Sequence, residues 1–271
     1  MQRAGQAATQ AAAPLQAEIQ QSAVVYSDET GCRVDGQNWW EWVFSSVKAV
    51  LHIMRFDRSV DVIKATMGQA TVDVWVSDCY PAQMKAPGQL HQLCLAHPHH
   101  PAGWCQLRNL QAVARPLAGL AGVDQTPQAF WPRAMQALFR AGIHLHNQRA
   151  ELSPATFAQE HQRLERLCTW LLKRPVREKE AQRLLHRYQK YRATLFVFLQ
   201  RTDVSPTNNV SERHLRPSVI HRKVTGCFRS EWGAHTYAAL ASVIGTAALT
   251  GQNSFEAIQN LCGAPALPIA S

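Results

Sequence analysis

Three acidic residues in separate parts of the sequence, Asp28, Asp78 and Glu212, are of the type that together bind divalent cations. Asp28 and Asp78 each lie near the end of a β-rich run. If the two strands are neighbours in a mixed sheet, both carboxylates point into one cleft. Oxygen ligands of this kind suit Mg²⁺ or Mn²⁺. Glu212, on a later helix, would complete a two-metal site for in-line displacement at phosphorus.

Each of these acids also has a simpler explanation when it is taken alone. An Asp at the end of a strand is commonly a turn or cap residue. Asn209 and Glu212 have the spacing of a capping box, in which Asn209 is the N-cap and Glu212 reaches back to it. Glu29, next to Asp28, is expected to face the opposite side of the strand. Both interpretations stay open at this point.

Positive charge surrounds Glu212 and characterises the whole chain. Between Val204 and Ser230 the only acid is Glu212, and four Arg and one Lys follow it. The 271 residues contain 28 Lys and Arg against 19 Asp and Glu, a net charge of +9, and 21 of these cations are Arg. Because the planar guanidinium suits phosphate, this balance favours a nucleic-acid partner over an anionic membrane surface.

Membrane-spanning and secreted proteins are excluded by the sequence pattern. No run of about 18 apolar residues is present, and the Ala/Gln-rich N-terminus lacks the apolar core of a signal peptide. The seven cysteines are odd in number and scattered, which does not indicate a disulfide framework. We therefore expect a cytoplasmic protein that makes no membrane contact.

The first elements along the chain that must position the acids are β-strands. Runs at 23–28, 39–44 and 49–54 predict an antiparallel meander with turns at Gly31 and Gly36. A helix capped by Ser59 or Asp61 then precedes a fourth strand at 72–78. Because a helical crossover joins the third and fourth strands, the fourth is expected to run parallel within the sheet. The predicted class is α/β.

The middle of the chain has helical periodicity. Residues 127–200 predict an all-α insertion in which Trp131 and Trp170 belong to the core, and 232–250 predict a final helix. Residues 161–201 hold eight Arg and three Lys against three Glu. This surplus is typical either of a solvated helix face or of a phosphate-contacting surface flanking the cleft, and we favour DNA contact.

The predicted organisation has five parts. They are a tail or remnant of an upstream helix at 1–22, the first part of the core at 23–110, a helical insertion at 111–201, the glutamate block and C-terminal helices at 202–263, and a tail at 264–271.

Two other groups of residues are of types that can carry a function. The first has zinc-ligand character: Cys94, His97, His99, His100 and Cys105. For His97 we favour packing or hydrogen bonding near the cleft, with a role beside Asp78 left open. The second is the aromatic strand, where Trp40 and Trp42 share one face and Trp39 lies on the other. Trp39 could stack on a base, although core packing is the favoured reading.

The sequence resembles the transposases of the insertion sequence 66 family across about residues 15–263. Successive blocks carry the resemblance: 27–31 with 34–36 and the Trp39–Trp42 strand, 76–80, 92–97, 206–217 with 219–223, and 226–247. The glutamate block at 206–217 is the most specific of them. The resemblance implies a DDE-type enzyme with an RNase H-like mixed-sheet core, an all-α insertion and C-terminal helices.

The resemblance implies a role for each matching residue. Asp28, Asp78 and Glu212 would hold two Mg²⁺ or Mn²⁺ ions with DNA bound, for DNA cleavage and strand transfer. Residues expected to contact DNA are Asn208, Asn209, Arg213, Arg216, Arg222 and Lys223. The implied partners are double-stranded DNA at transposon ends and target, a second copy of the chain, and accessory proteins of the same element, all at the nucleoid.

Three departures from the family pattern predict an N-terminally truncated copy. The chain begins just before the first catalytic block, whereas relatives carry an upstream region associated with DNA-end recognition. Residues 98–105 interrupt the helix that usually follows the 92–97 block, and Ser211 replaces the usual Ala. The alternative function is an inactive remnant that only binds DNA. A further rival is an RNase H-type nuclease acting on RNA–DNA hybrids.

Overall fold

The computed structural model describes residues 2–95, 127–261 and 263. Two compact units are formed, Met1–Gln89 with Asn208–Ser271, and Leu90–Thr207. The helical insertion predicted at 111–201 falls within the second compact unit.

Strands and helices are numbered here in the order in which the described residues form them. The strands are β1 (Val24–Val34), β2 (Gln37–Ser45), β3 (Val50–Arg55), β4 (Val72–Ser77) and β5 (Gly88–Leu93). Helices of the first unit are α1 (Gln2–Gln20), α2 (Val60–Met67), α7 (Asn209–Thr225), α8 (Glu231–Leu249) and α9 (Ser254–Leu261). Helices of the second unit are α3 (Pro127–Asn147), α4 (Pro154–Leu172), α5 (Lys179–Lys190) and α6 (Val197–Gln200).

The strands form a five-stranded mixed sheet in the order β3-β2-β1-β4-β5. β1 pairs antiparallel with β2, β2 pairs antiparallel with β3, and β1 pairs parallel with β4. This confirms the predicted α/β class, the antiparallel meander and the parallel fourth strand. β5 begins in the first unit and continues into the second.

The predicted turn at Gly31 is wrong, because β1 continues through it to Val34. Gly31 pairs with Trp40 in the ladder, and a Cβ at Gly31 would lie 3.9 Å from the Trp40 ring. The actual turn is the two-residue Asp35–Gly36, whose positive φ angles of 47° and 73° are those of a type I′ hairpin. Gly31 therefore lies within the strand and does not mark a turn.

Helices cover both faces of the sheet in the first unit. On one face, Trp42, Phe44 and Trp75 pack in a core with Ile19 of α1 and Ile63 of α2. On the other face, Val43 packs with Leu215 of α7, and Cys32 and Met54 pack with Ala234 and Ala238 of α8. The predicted N-terminal tail or helix remnant is thus an ordered helix whose Ile19 is fully buried.

Helix α8 protects the edge strand β3. Ser242 Oγ accepts a hydrogen bond from His52 N at 2.8 Å, and Thr246 Oγ1 accepts one from Val50 N at 3.0 Å. Because Ser242 and Thr246 are four residues apart, they lie on one face of the helix. Gly245 allows the close approach, since a Cβ there would meet Val50 Cβ at 3.2 Å. The two side chains thereby give hydrogen-bond partners to backbone N–H groups at this edge of the sheet.

The second unit is helical, as its periodicity predicted. Its core contains Trp131 stacked on Tyr188, with Trp131 Nε1 donating to Leu171 O at 3.0 Å. Phe139 contacts both Tyr188 and Phe196. Trp131 is therefore a core residue, but the same prediction for Trp170 is wrong, because Trp170 is 43% exposed on α4. No helix in the described part of the chain is long and apolar enough to cross a bilayer.

Candidate active site

Asp28 and Asp78 occupy equivalent places on neighbouring parallel strands. Tyr26 of β1 pairs with Val76 of β4, and each Asp lies two residues further along its strand direction. Because side chains alternate along a strand, a residue two positions further points to the same face. Asp28 therefore shares the face of Tyr26, and Asp78 that of Val76, so the register brings the two carboxylates side by side. Both are buried, with 4% of each residue exposed.

A backbone amide holds each of these carboxylates. Glu29 N donates to Asp28 Oδ1 at 2.9 Å, and Tyr80 N donates to Asp78 Oδ1 at the same distance. Asp78 follows the last residue of β4, so its Oδ1 caps the turn that leaves the sheet. The turn-residue explanation for Asp78 is thus correct in part, and it is compatible with a ligand role because the amide uses one oxygen.

Glu212 lies in the first turn of α7, which packs on β1 and β2. Asn208 is the N-cap residue, without a side-chain cap hydrogen bond, so the predicted capping box with Asn209 as N-cap is wrong. The Asn208 side chain instead bonds across the unit. Its Nδ2 donates to Ser27 O at 2.9 Å, and its Oδ1 accepts from Ser211 Oγ at 3.0 Å.

These two bonds tie the residue before Asp28 to the residue before Glu212. Asn208 and Ser211 are both fully buried, and Glu212 Oε1 is buried with them. A hydrogen-bonded link between β1 and the first turn of α7 therefore fixes the third acid against the strand that carries the first.

The carboxylates at this site repel one another electrostatically, and the effect is visible at Asp28. Burial raises the pKa of Asp28 well above its ordinary value of 3.8, and the charges of Glu29, Asp78 and Glu212 raise it further. The three predicted acids are therefore within electrostatic reach of each other. Within residues 2–95, 127–261 and 263, however, no three His, Cys, Asp or Glu side chains form a ready-made metal-binding group.

Glu29 adds another buried carboxylate, on the opposite face of β1 as predicted. Arg58 Nε and Nη2 donate to its Oε1 at 2.9 and 2.7 Å, and Gln83 Nε2 donates to its Oε2 at 2.7 Å. Burial and the charge of Asp78 raise the pKa of Glu29 to about 7, against the opposing effect of Arg58. One signal for this interaction is visible in the sequence, an acid directly adjacent to Asp28.

Arg58 is held in place by aromatic rings. Its guanidinium carbon lies 4.3 Å from the Trp40 ring centroid and 3.8 Å from that of Tyr80. Tyr80 OH also donates to Arg58 O at 2.9 Å. Because Tyr80 N bonds to Asp78, the cation that balances Glu29 is linked to the loop that carries Asp78.

A buried polar network that sequence reasoning missed lies under α7 and centres on Glu41. This fully buried acid of β2 receives His52 Nδ1 at 2.9 Å, Ser218 Oγ at 2.6 Å and Arg222 Nη1 at 3.3 Å. Arg222 Nη2 donates further to Thr30 Oγ1 at 3.0 Å. The available signal was a single acid, Glu41, within an otherwise apolar and aromatic strand.

The structure separates the residues predicted to contact DNA into three groups. Arg213, Arg216 and Lys223 are exposed on α7, and their DNA contacts stay a prediction. Arg222 and Asn208 are corrected to internal roles, because both are buried and bonded to Glu41 and to Ser27, respectively. Asn209 is partly buried, and its Oδ1 has no hydrogen-bond partner among the residues that the structure describes.

Two other predictions concern residues near or outside the described ranges. His97, His99, His100 and Cys105 lie outside the described residues, as does the 98–105 segment, while Cys94 is buried. Trp39 packs edge-on against Phe56 and His235, with ring centroids 6.1 and 5.9 Å apart, which agrees with the packing interpretation.

The chain matches the family model described as Transposase IS66 family over residues 1–236. It therefore belongs to a family of transposases, the enzymes of mobile DNA elements. Comparison with curated proteins and with solved structures gives no significant match.

Proposed function

We propose that this chain catalyses metal-dependent DNA cleavage and strand transfer, with Asp28, Asp78 and Glu212 as its catalytic acids. The observation that carries the proposal is the parallel β1–β4 register, which brings the two buried aspartates side by side. Membership of the transposase family supports the reaction class. The link through Asn208 supports Glu212 as the third acid.

We further propose that the sheet is an RNase H-like core. The strand order β3-β2-β1-β4-β5, with an antiparallel meander followed by a parallel strand, supports this assignment. Helices on both faces of the sheet agree with it. In this arrangement β1 is the central strand, and it carries the first acid.

The acids fit Mg²⁺ or Mn²⁺ by chemistry and by charge. Carboxylate oxygens are the ligands that these hard cations prefer, and the mutual repulsion that raises the pKa of Asp28 would be offset by a divalent cation. When bound with DNA, two such ions would supply charge neutralisation at phosphorus and activation of water or a 3′-hydroxyl. The proposed contributions of the chain are holding the acids in register and, through Arg58, balancing Glu29.

DNA contact is proposed at the exposed face of α7. Arg213, Arg216 and Lys223 lie on the same helix as Glu212, so a phosphate backbone held by them would lie near that acid. Double-stranded transposon ends and target are the proposed substrates, bound by more than one copy of the chain together with accessory proteins of the element. We propose that the protein acts in the cytoplasm, at the nucleoid.

Nicking of supercoiled plasmid in Mn²⁺ tests the proposal. Asp78→Asn and Glu212→Gln are each expected to lower the rate by about 100-fold or more, because each replaces a charged carboxylate ligand of the proposed metal ions with a neutral amide. Matched controls are Asp61→Asn and Glu256→Gln, which make the same changes at exposed acids of α2 and α9. Their rates should stay within about twofold of the parent.

The outcomes separate the proposal from its rivals. Metal-dependent nicking that both site variants abolish supports it, and nicking that survives them contradicts the assignment. Folded protein that binds DNA in a salt-dependent way without nicking favours the inactive remnant. Faster cleavage of RNA–DNA hybrid than of duplex DNA favours the RNase H-type nuclease.

Asn208 is expected to act as a positioning residue for this reaction. Asn208→Ala removes both bonds that link the residues before Asp28 and Glu212, so nicking should fall by about 10–100-fold. The Mn²⁺ concentration for half-maximal rate should rise, which a general loss of folded protein would not cause. Asn253→Ala, the same change at an exposed residue before α9, is the control. An unchanged Mn²⁺ dependence would contradict the positioning role.

A further inference from the structure

An exposed aromatic patch lies on the helical unit and contains none of the residues already assigned. It consists of Phe130 of α3 and Leu167 and Trp170 of α4, which are 53%, 42% and 43% exposed. The Phe130 and Trp170 rings meet edge to face at 6.5 Å and 85°. Large apolar side chains of a folded unit are seldom clustered in water without a binding partner.

Arg174 extends this patch with a flat cationic surface. Its guanidinium carbon lies 3.8 Å from the Trp170 ring centroid, so the planar group covers the indole. The Arg174 residue is itself exposed. A guanidinium plane and an aromatic ring are both surfaces on which a nucleobase stacks.

The segment that carries Leu167, Trp170 and Arg174 is rich in cations. Residues 166–177 contain four cations and no acid: Arg166, Lys173, Arg174 and Arg177. All four residues are exposed. The nearest preceding acid, Glu165, is paired with Arg192. Positive charge around an aromatic platform is complementary to a phosphate backbone with accessible bases.

We propose that the aromatic patch with Arg174 binds single-stranded DNA by base stacking. Duplex DNA offers phosphates to such a surface but keeps its base faces within the stack, so the aromatic rings would contribute little to duplex binding. Contact with a second copy through this same surface is disfavoured, because a two-fold interface would place like charges opposite one another. The proposal goes beyond catalysis and does not depend on the activity of the acids.

Fluorescence anisotropy with a labelled 20-nucleotide oligo(dT) strand and a duplex of the same length, in EDTA to prevent cleavage, tests this assignment. Trp170→Ala is expected to weaken single-strand binding by about tenfold or more, since stacking on one aromatic side chain contributes about 1–3 kcal/mol per base. Duplex binding should change by less than about threefold, because no charge is removed. Trp170→Phe retains a ring and should keep most of the single-strand affinity.

The control for charge is Arg163, which lies on α4, the helix that carries Trp170. Arg163→Ala removes an exposed arginine that pairs with Glu160 at 3.7 Å, whereas Arg174→Ala removes the one stacked on Trp170. Arg174→Ala should weaken single-strand binding several-fold more than Arg163→Ala does. Equal losses of affinity for single-stranded and for duplex DNA would overturn base stacking and leave electrostatic attraction as the only explanation. An unchanged single-strand affinity in Trp170→Ala also overturns it, and a simultaneous shift from dimer to monomer would assign the patch to self-association.

The result is separable from the proposed function. Loss of single-strand affinity in Trp170→Ala supports the patch even where the parent protein does not nick DNA. Conversely, nicking that needs Asp78 and Glu212 supports the catalytic site whatever the patch variants bind. Thermal midpoints equal to that of the parent verify that each patch variant is folded.

Discussion

Arg222→Leu is expected to lower the free energy of unfolding by about 3 kcal/mol, the largest loss we expect from a single change in α7. The substitution leaves Glu41 fully buried without its cationic partner and leaves Thr30 Oγ1 without its donor. His52 Nδ1 and Ser218 Oγ still bond to Glu41, which is why we expect the lower end of the range for broken buried pairs. Urea unfolding measures the change.

Arg216→Leu is the matched control for this prediction. It removes the same charge from the exposed face of the same helix, and its effect should stay within about 0.5 kcal/mol. Adding Glu41→Gln to Arg222→Leu should recover part of the lost stability, because no buried charge then remains unpaired. If Arg222→Leu had the same free energy of unfolding as Arg216→Leu but bound DNA more weakly than the parent protein does, Arg222 would be available to DNA. The buried pair of Arg222 with Glu41 would then be refuted.

The elements that position the first two acids were predictable from the sequence. The β-rich runs ending near Asp28 and Asp78 and the helical crossover before the fourth strand led to the parallel pairing found between β1 and β4. Those features are local: periodicity within a strand and the length of one connection. Local pattern also placed Glu29 on the face opposite Asp28, where Arg58 and Gln83 bind it.

The roles of Arg222, Glu41 and Trp170 were not predictable in the same way. Cations following Glu212 look alike in the sequence, and only the approach of α7 to β2 decides that Arg222 is buried against Glu41 while Arg216 is exposed. Trp170 fits the helical period well enough to suggest a core position. Which face of α4 is covered depends on α3 and α5, and that information lies in tertiary packing.

Asn208 shows the same limit within the candidate site. Its position before a helix gives a residue of this type a plausible cap role, and the family resemblance implied DNA contact. The structure uses its amide to join Ser27 and Ser211, residues 181 and 3 positions away in the chain. A bond spanning so much sequence leaves no local pattern, so the positioning role emerges only from the fold.

Asp28→Asn is expected to stabilise the metal-free protein at pH 8 while abolishing nicking. Burial, together with the charges of Glu29, Asp78 and Glu212, raises the pKa of Asp28, so the folded state favours the protonated, neutral form. An acid with a raised pKa in the fold binds more protons folded than unfolded, so its contribution to stability is present below 3.8 and is lost as pH rises through the raised value. Asparagine keeps the oxygen that accepts from Glu29 N but carries no charge.

The gain should therefore grow with pH, from near zero at about pH 4 to about 1–2 kcal/mol at pH 8. Thermal midpoints without divalent metal measure it, as a rise of about 4 °C at pH 8. Adding Mn²⁺ should raise the midpoint of the parent more than that of Asp28→Asn, because the cation offsets repulsion that the variant no longer has. Asp61→Asn, at an exposed acid of α2, should show neither effect. A variant less stable than the parent at pH 8 would mean that the Asp28 carboxylate stabilises the metal-free fold. In that case a bound cation would not stabilise the protein by relieving repulsion among the acids.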